Sequence, residues 1–313
     1  AITGDWSGAE REQRDQLIAS DPAGGFFLSP RLSSMFIDLA RARSVLVEAG
    51  AITMPLDTTQ TSIVRVTGDP EIAWQGKELT PLQETDMALG RLELHPHTLG
   101  GVVNISAQLM EDARNAPQVL EDVLAAAAAA QLDRALFRGA GELPNQPSWL
   151  QFGVLKDPDI PAVVFTFPDG AALTDYDPYV DAIRLVEDAN GTPDVRIEAP
   201  RTSADLAKLR QVVDGAYLQP PKSVADLRHI KSTQMPVDLT FGADTNATSV
   251  LIGNFATAYV ILGVRNAFQI QVSREAGDAF ENYGAKVRIV GRYDIAVGRP
   301  SHLARIDGII PPT

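Results

Sequence analysis

Residues 103–141 read VNISAQLMEDARNAPQVLEDVLAAAAAAQLDRALFRGAG, and the fold turns on this stretch. An extended lead, Val103-Asn104-Ile105, runs through Ser106 to Asp112 toward a helix predicted over 117–138. Pro117 suits the first turn, Glu121 and Asp122 sit near the N-terminus, Arg134 and Arg138 near the C-terminus, and Gly139 supplies the stop. Twenty-two residues at 1.5 Å rise give a length of roughly 33 Å. The six alanines Ala125 to Ala130 favour helix and let another backbone approach closely, so they read as a packing seam. Glu121, Asp122, Gln131, Asp133 and Arg134 interrupt the apolar stretch Val119 to Leu136, so no membrane span is expected there.

Upstream, Thr61 to Val66 alternates as a strand does, and Asp86 to Ile105 is a second, longer extended stretch. Between them, Gly68-Asp69-Pro70 to Pro81-Leu82-Gln83-Glu84 is polar and rich in breakers except at Ile72, Ala73 and Trp74. The pattern predicts a long hairpin with a polar tip. A lone hairpin buries too little apolar surface to be stable in water, so this one packs either on its own domain or on a neighbouring subunit. Residues 1–25 are charged and end in Asp21-Pro22-Ala23-Gly24-Gly25, which reads as an extended arm that needs a partner to be ordered. From Phe26 to Val47 the chain turns apolar, with Pro30 near the start of a short helix carrying Leu32, Met35, Phe36 and Leu39 on one face.

Downstream, a helix is predicted from Pro178 to Asn190, capped by Asp177, striped by Val180, Ile183, Val186 and Ala189 and stopped by Gly191. Another is predicted over 203–214, with Ser203 as cap and Leu206, Leu209, Val212 and Val213 as its stripe. With Val163-Val164-Phe165 and the extended Asp194 to Ala199, these suggest a compact α/β layer. The end is β-rich: Val250 to Ile252, Tyr259 to Leu262, Gln269 to Ser273, Ala285 to Val290 and Ile295 to Val297. No internal repeat of solenoid period is present.

Composition narrows the chemistry. The 313 residues, 45% hydrophobic and 21% charged, suffice for a large core without staples. Zero cysteine excludes disulfides, thiolate zinc sites, iron–sulfur clusters and a cysteine nucleophile. Twenty-seven basic against 40 acidic residues, a net charge of −13, argue against a surface that clamps nucleic acid. The opening AITGDWSGAEREQRDQL has neither the basic nor the apolar region of a secretory signal.

His95-Pro96-His97 could begin a metal site, but no acidic cluster nearby supplies a third ligand, and His229 and His302 read as surface or structural histidines. Nucleophile-elbow, P-loop and dinucleotide motifs are absent, and Gly139-Ala140-Gly141 follows a helix, the wrong order for cradling phosphate. The acidic stretch Asp157 to Asp188 raises the alternative of a carboxylate-based hydrolase, yet Asp175 and Asp177 are explained as turn and cap residues and the rest as a solvated face. No catalytic constellation and no cofactor site is read.

The order of parts resembles the major capsid proteins of tailed bacteriophages that share the HK97 fold. Gly24-Gly25-Phe26-Phe27-Leu28-Ser29-Pro30 resembles the opening that follows the family's N-terminal arm, and Ala73-Trp74-Gln75-Gly76-Lys77-Glu78 the signature at the tip of its extended E-loop. Ile105-Ser106 through Leu109 to Asp112 is similar to the I-S-x-x-L-x-x-D lead into the spine helix. Gly215-Ala216-Tyr217-Leu218, Leu251-Ile252-Gly253-Asn254-Phe255 and Arg292-Tyr293-Asp294-Ile295-Ala296-Val297 resemble elements of the axial domain and the last peripheral strand. Asn254 stands where an acidic residue is usual, and Pro144 to Trp149 replaces the usual P-x-G-I.

The resemblance implies an α+β chain with an arm and entry segment over 1–48, an E-loop over 60–104, a peripheral domain over 49–59, 105–156 and 263–298 with its spine helix near 117–138, and an axial domain over 157–262 and 299–313. It implies hexamers and pentamers in an icosahedral head that encloses double-stranded DNA without reading its sequence. Portal and decoration or scaffolding proteins would be the partners, and assembly would take place in the host bacterial cytoplasm with no membrane. Inter-subunit contacts are expected at Ile72, Trp74, Gly76, Lys77 and Glu78 of the E-loop tip, and at Trp6, Phe26 and Phe27 of the arm. Some relatives join an E-loop lysine to a neighbour's asparagine with the help of a glutamate. Here the linking position falls nearer Thr80 than Lys77, Asn282 matches the asparagine loosely, and the glutamate position falls at Val290 or Gly291, so a noncovalent shell is expected. An encapsulin-like compartment is the alternative within the fold.

Overall fold

The computed structural model describes residues 44–68, 85–108, 116–139, 153–164, 169–211, 215–277 and 279–312, with single positions 70, 72 and 74. The arm with Trp6, Phe26 and Phe27, the helix expected around Leu32 to Leu39, and the tip residues Gly76, Lys77 and Glu78 lie outside the described residues.

The described helices are α1 (Val45–Glu48), α2 (Ala116–Arg138), α3 (Asp177–Asp188), α4 (Pro200–Ala207) and α5 (Lys222–Ala225). The strands are β1 (Ile52–Pro55), β2 (Thr61–Gly68), β3 (Ala88–Leu94), β4 (His97–Ser106), β5 (Ala162–Val164), β6 (Val195–Glu198), β7 (Arg228–Lys231), β8 (Leu239–Phe241), β9 (Asp244–Gly253), β10 (Val260–Ser273), β11 (Gly284–Val297) and β12 (Leu303–Ile309). They form a four-stranded sheet in the order β1-β10-β11-β4, a larger sheet in the order β5-β12-β9-β6-β7 with β8 beside β9, and the two-stranded β2-β3 ribbon. The chain divides into two compact units. One comprises Thr98–Ala128 and Asn266–Arg292 together with Ala1–Ala40; the other comprises Arg41–His97, Ala129–Arg265 and Tyr293–Thr313.

In the larger unit, the mixed sheet is antiparallel between β12 and β9 and between β9 and β6, and parallel where β5 joins β12 and β7 joins β6. β9 is buried continuously from Ala247 to Gly253, as expected of a central strand covered on both faces. Tyr179, Ala182, Ile183 and Val186 of α3, Leu206 of α4 and Val224 of α5 pack with Val250, Ile252, Ala304 and Ile306 of the sheet. The core of this unit is therefore helices laid on a mixed sheet, consistent with the α+β reading.

Several local readings shift by a residue or a turn. The helix expected to be capped by Asp177 has Asp177 as its first residue, and the Asp175 carboxylate accepts the Asp177 N–H at 3.0 Å one step earlier. Its buried stripe runs through Tyr179 rather than Val180, because the phenol of Tyr179 reaches Glu198 in the sheet. It ends at Asp188, two residues short of the expected Asn190, and the chain leaves it through Asn190, whose φ of 60° is left-handed, and Gly191, where a Cβ would meet the Val186 side chain at 2.7 Å. The helix expected over 203–214 instead spans Pro200–Ala207, since Pro200 presets the first turn. Arg210 bridges antiparallel to Tyr217 instead of continuing the helix, and Leu218 N–H donates to Leu209 C=O at 2.8 Å. The pairs of short strands read near 259–273 and 285–297 are each one continuous 14-residue strand.

The short helix α1 is held from a distance. Asp133 of α2 accepts the Ser44 hydroxyl at 2.7 Å and the backbone N–H groups of Val45 and Leu46 at 3.0 and 3.1 Å, doing the work of an N-cap. Burial pushes the Asp133 carboxyl up, and these donors pull it back.

Candidate inter-subunit contact surfaces

The hairpin begins as a matter of alternation. β2 pairs antiparallel with β3 from Thr61 opposite Leu94 to Gly68 opposite Ala88, with a register shift between Val66 and Gly68. The period of two sends Ile63 and its partner Leu92, with Leu94, to one face. There Leu92 and Leu94 join Leu56, Ile261 and Ala296 in a buried cluster that seats the root of the ribbon. The opposite face carries Val64 beside Arg91 and Val66 beside Leu89, and all three apolar side chains are exposed.

Toward the tip the exposure becomes complete. Ile72 is 91% and Trp74 100% exposed, so these two apolar residues of the described tip bury almost nothing against their own chain. Trp buries the largest area of any side chain and is enriched at the centres of protein interfaces, so a fully exposed Trp74 is a candidate contact residue.

Two polar groups fix the ribbon's root. Arg65 lies on the inner face across from Gly90, where a Cβ would meet Thr67 at 2.6 Å and Arg65 at 3.4 Å, so the glycine makes room for the guanidinium. Arg65 donates to the Gly298 carbonyl at 3.3 Å. Burial pushes the nearby Asp157 carboxyl up, and the positive charges of Arg305 and Arg65 oppose that rise. The other anchor is Asp294, fully buried on β11, which accepts the His95 N–H at 2.6 Å and the Ile295 N–H at 2.8 Å. Burial pushes the Asp294 carboxyl up to about 6 despite those donors.

His95 and His97 do not form a metal centre with neighbours. His95 Nε2 lies 3.3 Å from Glu93, whose carboxyl is held below its usual value mainly by that hydrogen bond. Among the described residues no group of three or more His, Asp or Glu could hold a metal ion. The acidic stretch is spent locally: Asp159 N–H donates to Asp157, Asp169 accepts from Ala243 N–H, and Arg184 pairs with Asp181 and Asp188 along α3. Asp157 is buried, not part of a solvated face, because the η-turn at 154–156 folds it under Arg305, which donates to its carbonyl at 2.8 Å. Asn254 substitutes well for an acidic residue, since its Oδ1 accepts the N–H groups of Ala256 and Thr257 at 3.1 Å each.

Two features escaped sequence reasoning. Glu198, fully buried, accepts the Tyr179 hydroxyl at 2.8 Å, and His229 Nε2 approaches its other oxygen to 2.6 Å. Burial raises the Glu198 carboxyl, but His229, Arg196 and Tyr179 outweigh it and the net effect is a lowering. The second is the β10–β11 turn, where Phe280 and Tyr283 stand exposed. Their only sequence signal is an aromatic pair within a polar turn.

Residues 24–308 match the phage capsid family. Among curated proteins there is no match. Solved structures with the same fold include a chain from Mycobacterium phage Adephagia, 16% identical with a TM-score of 0.63 over 86% of this chain and 90% of that one. A chain from Mycobacterium phage Bobi is 16% identical with a TM-score of 0.65, covering 86% and 91%. The capsid of an empty GTA particle is 15% identical with a TM-score of 0.66, covering 85% and 90%.

Proposed function

From the premise that this chain belongs to the phage capsid family and is a shell-forming major capsid protein, we propose that it closes an icosahedral head of hexamers and pentamers around double-stranded DNA. In this reading residues 60–104 are the E-loop, and Ile72 and Trp74, with Gly76, Lys77 and Glu78 beyond them, lie on a neighbouring subunit. Trp6, Phe26 and Phe27 of the arm make a second contact of the same kind. The observation that carries this is the fully exposed Trp74 at the end of a ribbon whose root is buried and whose outer face exposes Val64, Val66 and Leu89. Such a surface is stable in water only once another subunit covers it.

Portal and decoration or scaffolding proteins are the proposed partners, and assembly in the bacterial cytoplasm is the proposed setting. With a net charge of −13, an inner wall that repels rather than grips DNA suits a packed chamber. The family match favours this reading over a cargo compartment and over an acidic hydrolase. The shell is proposed to be noncovalent, because Val290 and Gly291 offer no carboxylate where relatives carry the glutamate. Deleting 69–82 tests the proposal: soluble subunits or capsomers with few closed particles are expected in electron micrographs, and normal particles would refute it. Denaturing electrophoresis of wild-type particles is expected to show single subunits, and a ladder of linked subunits would overturn the noncovalent shell.

A further inference from the structure

We infer that Asn190-Gly191 is a site of spontaneous covalent modification, deamidation of Asn190, which the folded C-terminus of α3 holds closed and which therefore marks chains whose helix end has opened. The inference lies in the larger unit and does not depend on the shell-forming reading. Asn190 is the one asparagine of the sequence that is followed by glycine. That dipeptide is the most labile of its kind, because a glycine nitrogen has no neighbouring side chain to hinder its attack on the preceding carboxamide.

The packing of α3 sets the two residues side by side. With Ala189 as the C-cap, Asn190 N–H donates to Glu187 C=O at 2.8 Å and Gly191 N–H to Val186 C=O at 2.9 Å, the paired bonds of a Schellman ending. The first position is left-handed, with a φ of 60°, a conformation that asparagine accepts and most residues do not. The second has no room for a side chain: a Cβ on Gly191 would meet Val186 Cγ1 at 2.7 Å, the Val186 carbonyl oxygen at 2.9 Å and the His302 ring at 3.4 Å. Asparagine followed by glycine satisfies both demands, and the chemical lability comes with the pair.

The reaction is internal to the chain. The Gly191 nitrogen gives up its proton and attacks Cγ of Asn190; the new N–C bond closes a five-membered imide, and ammonia leaves. Water then opens the imide at one of its two carbonyls, which leaves aspartate or isoaspartate at 190. Asn190 is exposed, so both its carboxamide and the water are at hand. The nucleophile is not. Gly191 is buried, its N–H is engaged by Val186, and the Val186 side chain and the His302 ring flank it, so the nitrogen cannot turn toward Asn190 Cγ while the cap is formed. His302 is itself buried and hydrogen-bonds the Ala189 backbone, which fastens the same turn from the segment 300–302.

Modification therefore waits for the helix end to open, and because the chemistry is slow beside reclosing, its rate follows the open population. The two products differ on reclosing. Aspartate leaves the main chain unchanged. Isoaspartate adds a methylene to it where Val186 and His302 leave no slack, so the Schellman bonds do not re-form.

Peptide mass spectrometry of the full chain tests this. At about pH 8.5, wild type unfolded in guanidinium chloride is expected to deamidate faster at Asn190 than at any other asparagine, and the native chain at the same pH and temperature at least about tenfold more slowly at that residue. A native rate within about tenfold of the unfolded one would overturn the inference. So would an unfolded chain in which Asn190 is no more reactive than the other asparagines. Unfolded Asn190→Gln, whose longer side chain would have to close a six-membered ring, is expected to lose the signal at 190, and its persistence would count against the imide route. After return to native conditions, chains with aspartate at 190 are expected to recover the wild-type melting temperature more nearly than chains with isoaspartate, and the reverse order would overturn the role given to the cap.

Discussion

Asp294 and Asp133 each tie together elements distant in the chain, and neither role is readable along it. Each carboxylate caps backbone N–H groups far away in sequence, at His95 across 199 positions and at Val45 across 88. A sequence pattern reports neighbours within a turn or two, so acceptors recruited from another element leave no local mark. Asp294 has a measurable consequence. Its carboxyl rises from an ordinary 3.8 to about 6 because burial penalises the charge, so the folded chain holds a proton that the unfolded chain has already released. The stabilising contribution of that proton is complete below about pH 4 and is lost as pH rises through about 6. The gap corresponds to roughly 3 kcal/mol at most. An Asp294→Asn variant keeps an acceptor oxygen but cannot ionise. Wild type is therefore expected to gain apparent melting temperature relative to Asp294→Asn as pH falls from 7 to 4.5, and parallel profiles would contradict this.

At the scale of elements, the hairpin and the long helix were the legible parts, the hairpin because a half-buried ribbon carries its alternation in its sequence, and the helix because its proline, charges, alanine run and terminal Gly139 mark it without a period. β2 and β3 alternate since one face meets Leu56 and Ile261 while the other faces solvent. β10 and β11 were less legible. Gly263 interrupts the pattern of β10 for a reason outside the strand: a Cβ there would meet Leu56 at 2.7 Å, so a close approach demands glycine in mid-strand. The α3 stripe keeps Ile183 and Val186 but takes Tyr179 in place of Val180, because a tyrosine counts as buried only once its hydroxyl has a partner, and Glu198 is 19 positions on. Ile72 and Trp74 are legible as apolar exceptions in a polar tip, whereas the exposure of Phe280 is not, because an aromatic in a turn reads the same whether it folds inward or outward. Arg65 gives the element-scale test. Removing its tether to Gly298 in Arg65→Ala is expected to speed hydrogen exchange of 61–68 and 88–94 by about tenfold while leaving β9 and β12 unchanged. Unchanged exchange in the ribbon would show that the apolar root alone sets its position.

For the whole molecule, the order of parts from arm to last strand carried more information than any single motif, and the family match covers residues 24–308. Without cysteine, and without a carboxylate at Val290 or Gly291, cohesion of the proposed shell falls to buried area and paired backbone between copies. In the proposed shell, the exposed Ile72 and Trp74 of the ribbon become the material of assembly. Cryo-electron microscopy of the purified wild-type assembly tests this most directly. The expected result is a closed icosahedral particle in which the ribbon of each subunit lies across its neighbour with Trp74 buried between them. Dispersed monomers, or a closed particle in which Trp74 remains in solvent, would contradict it.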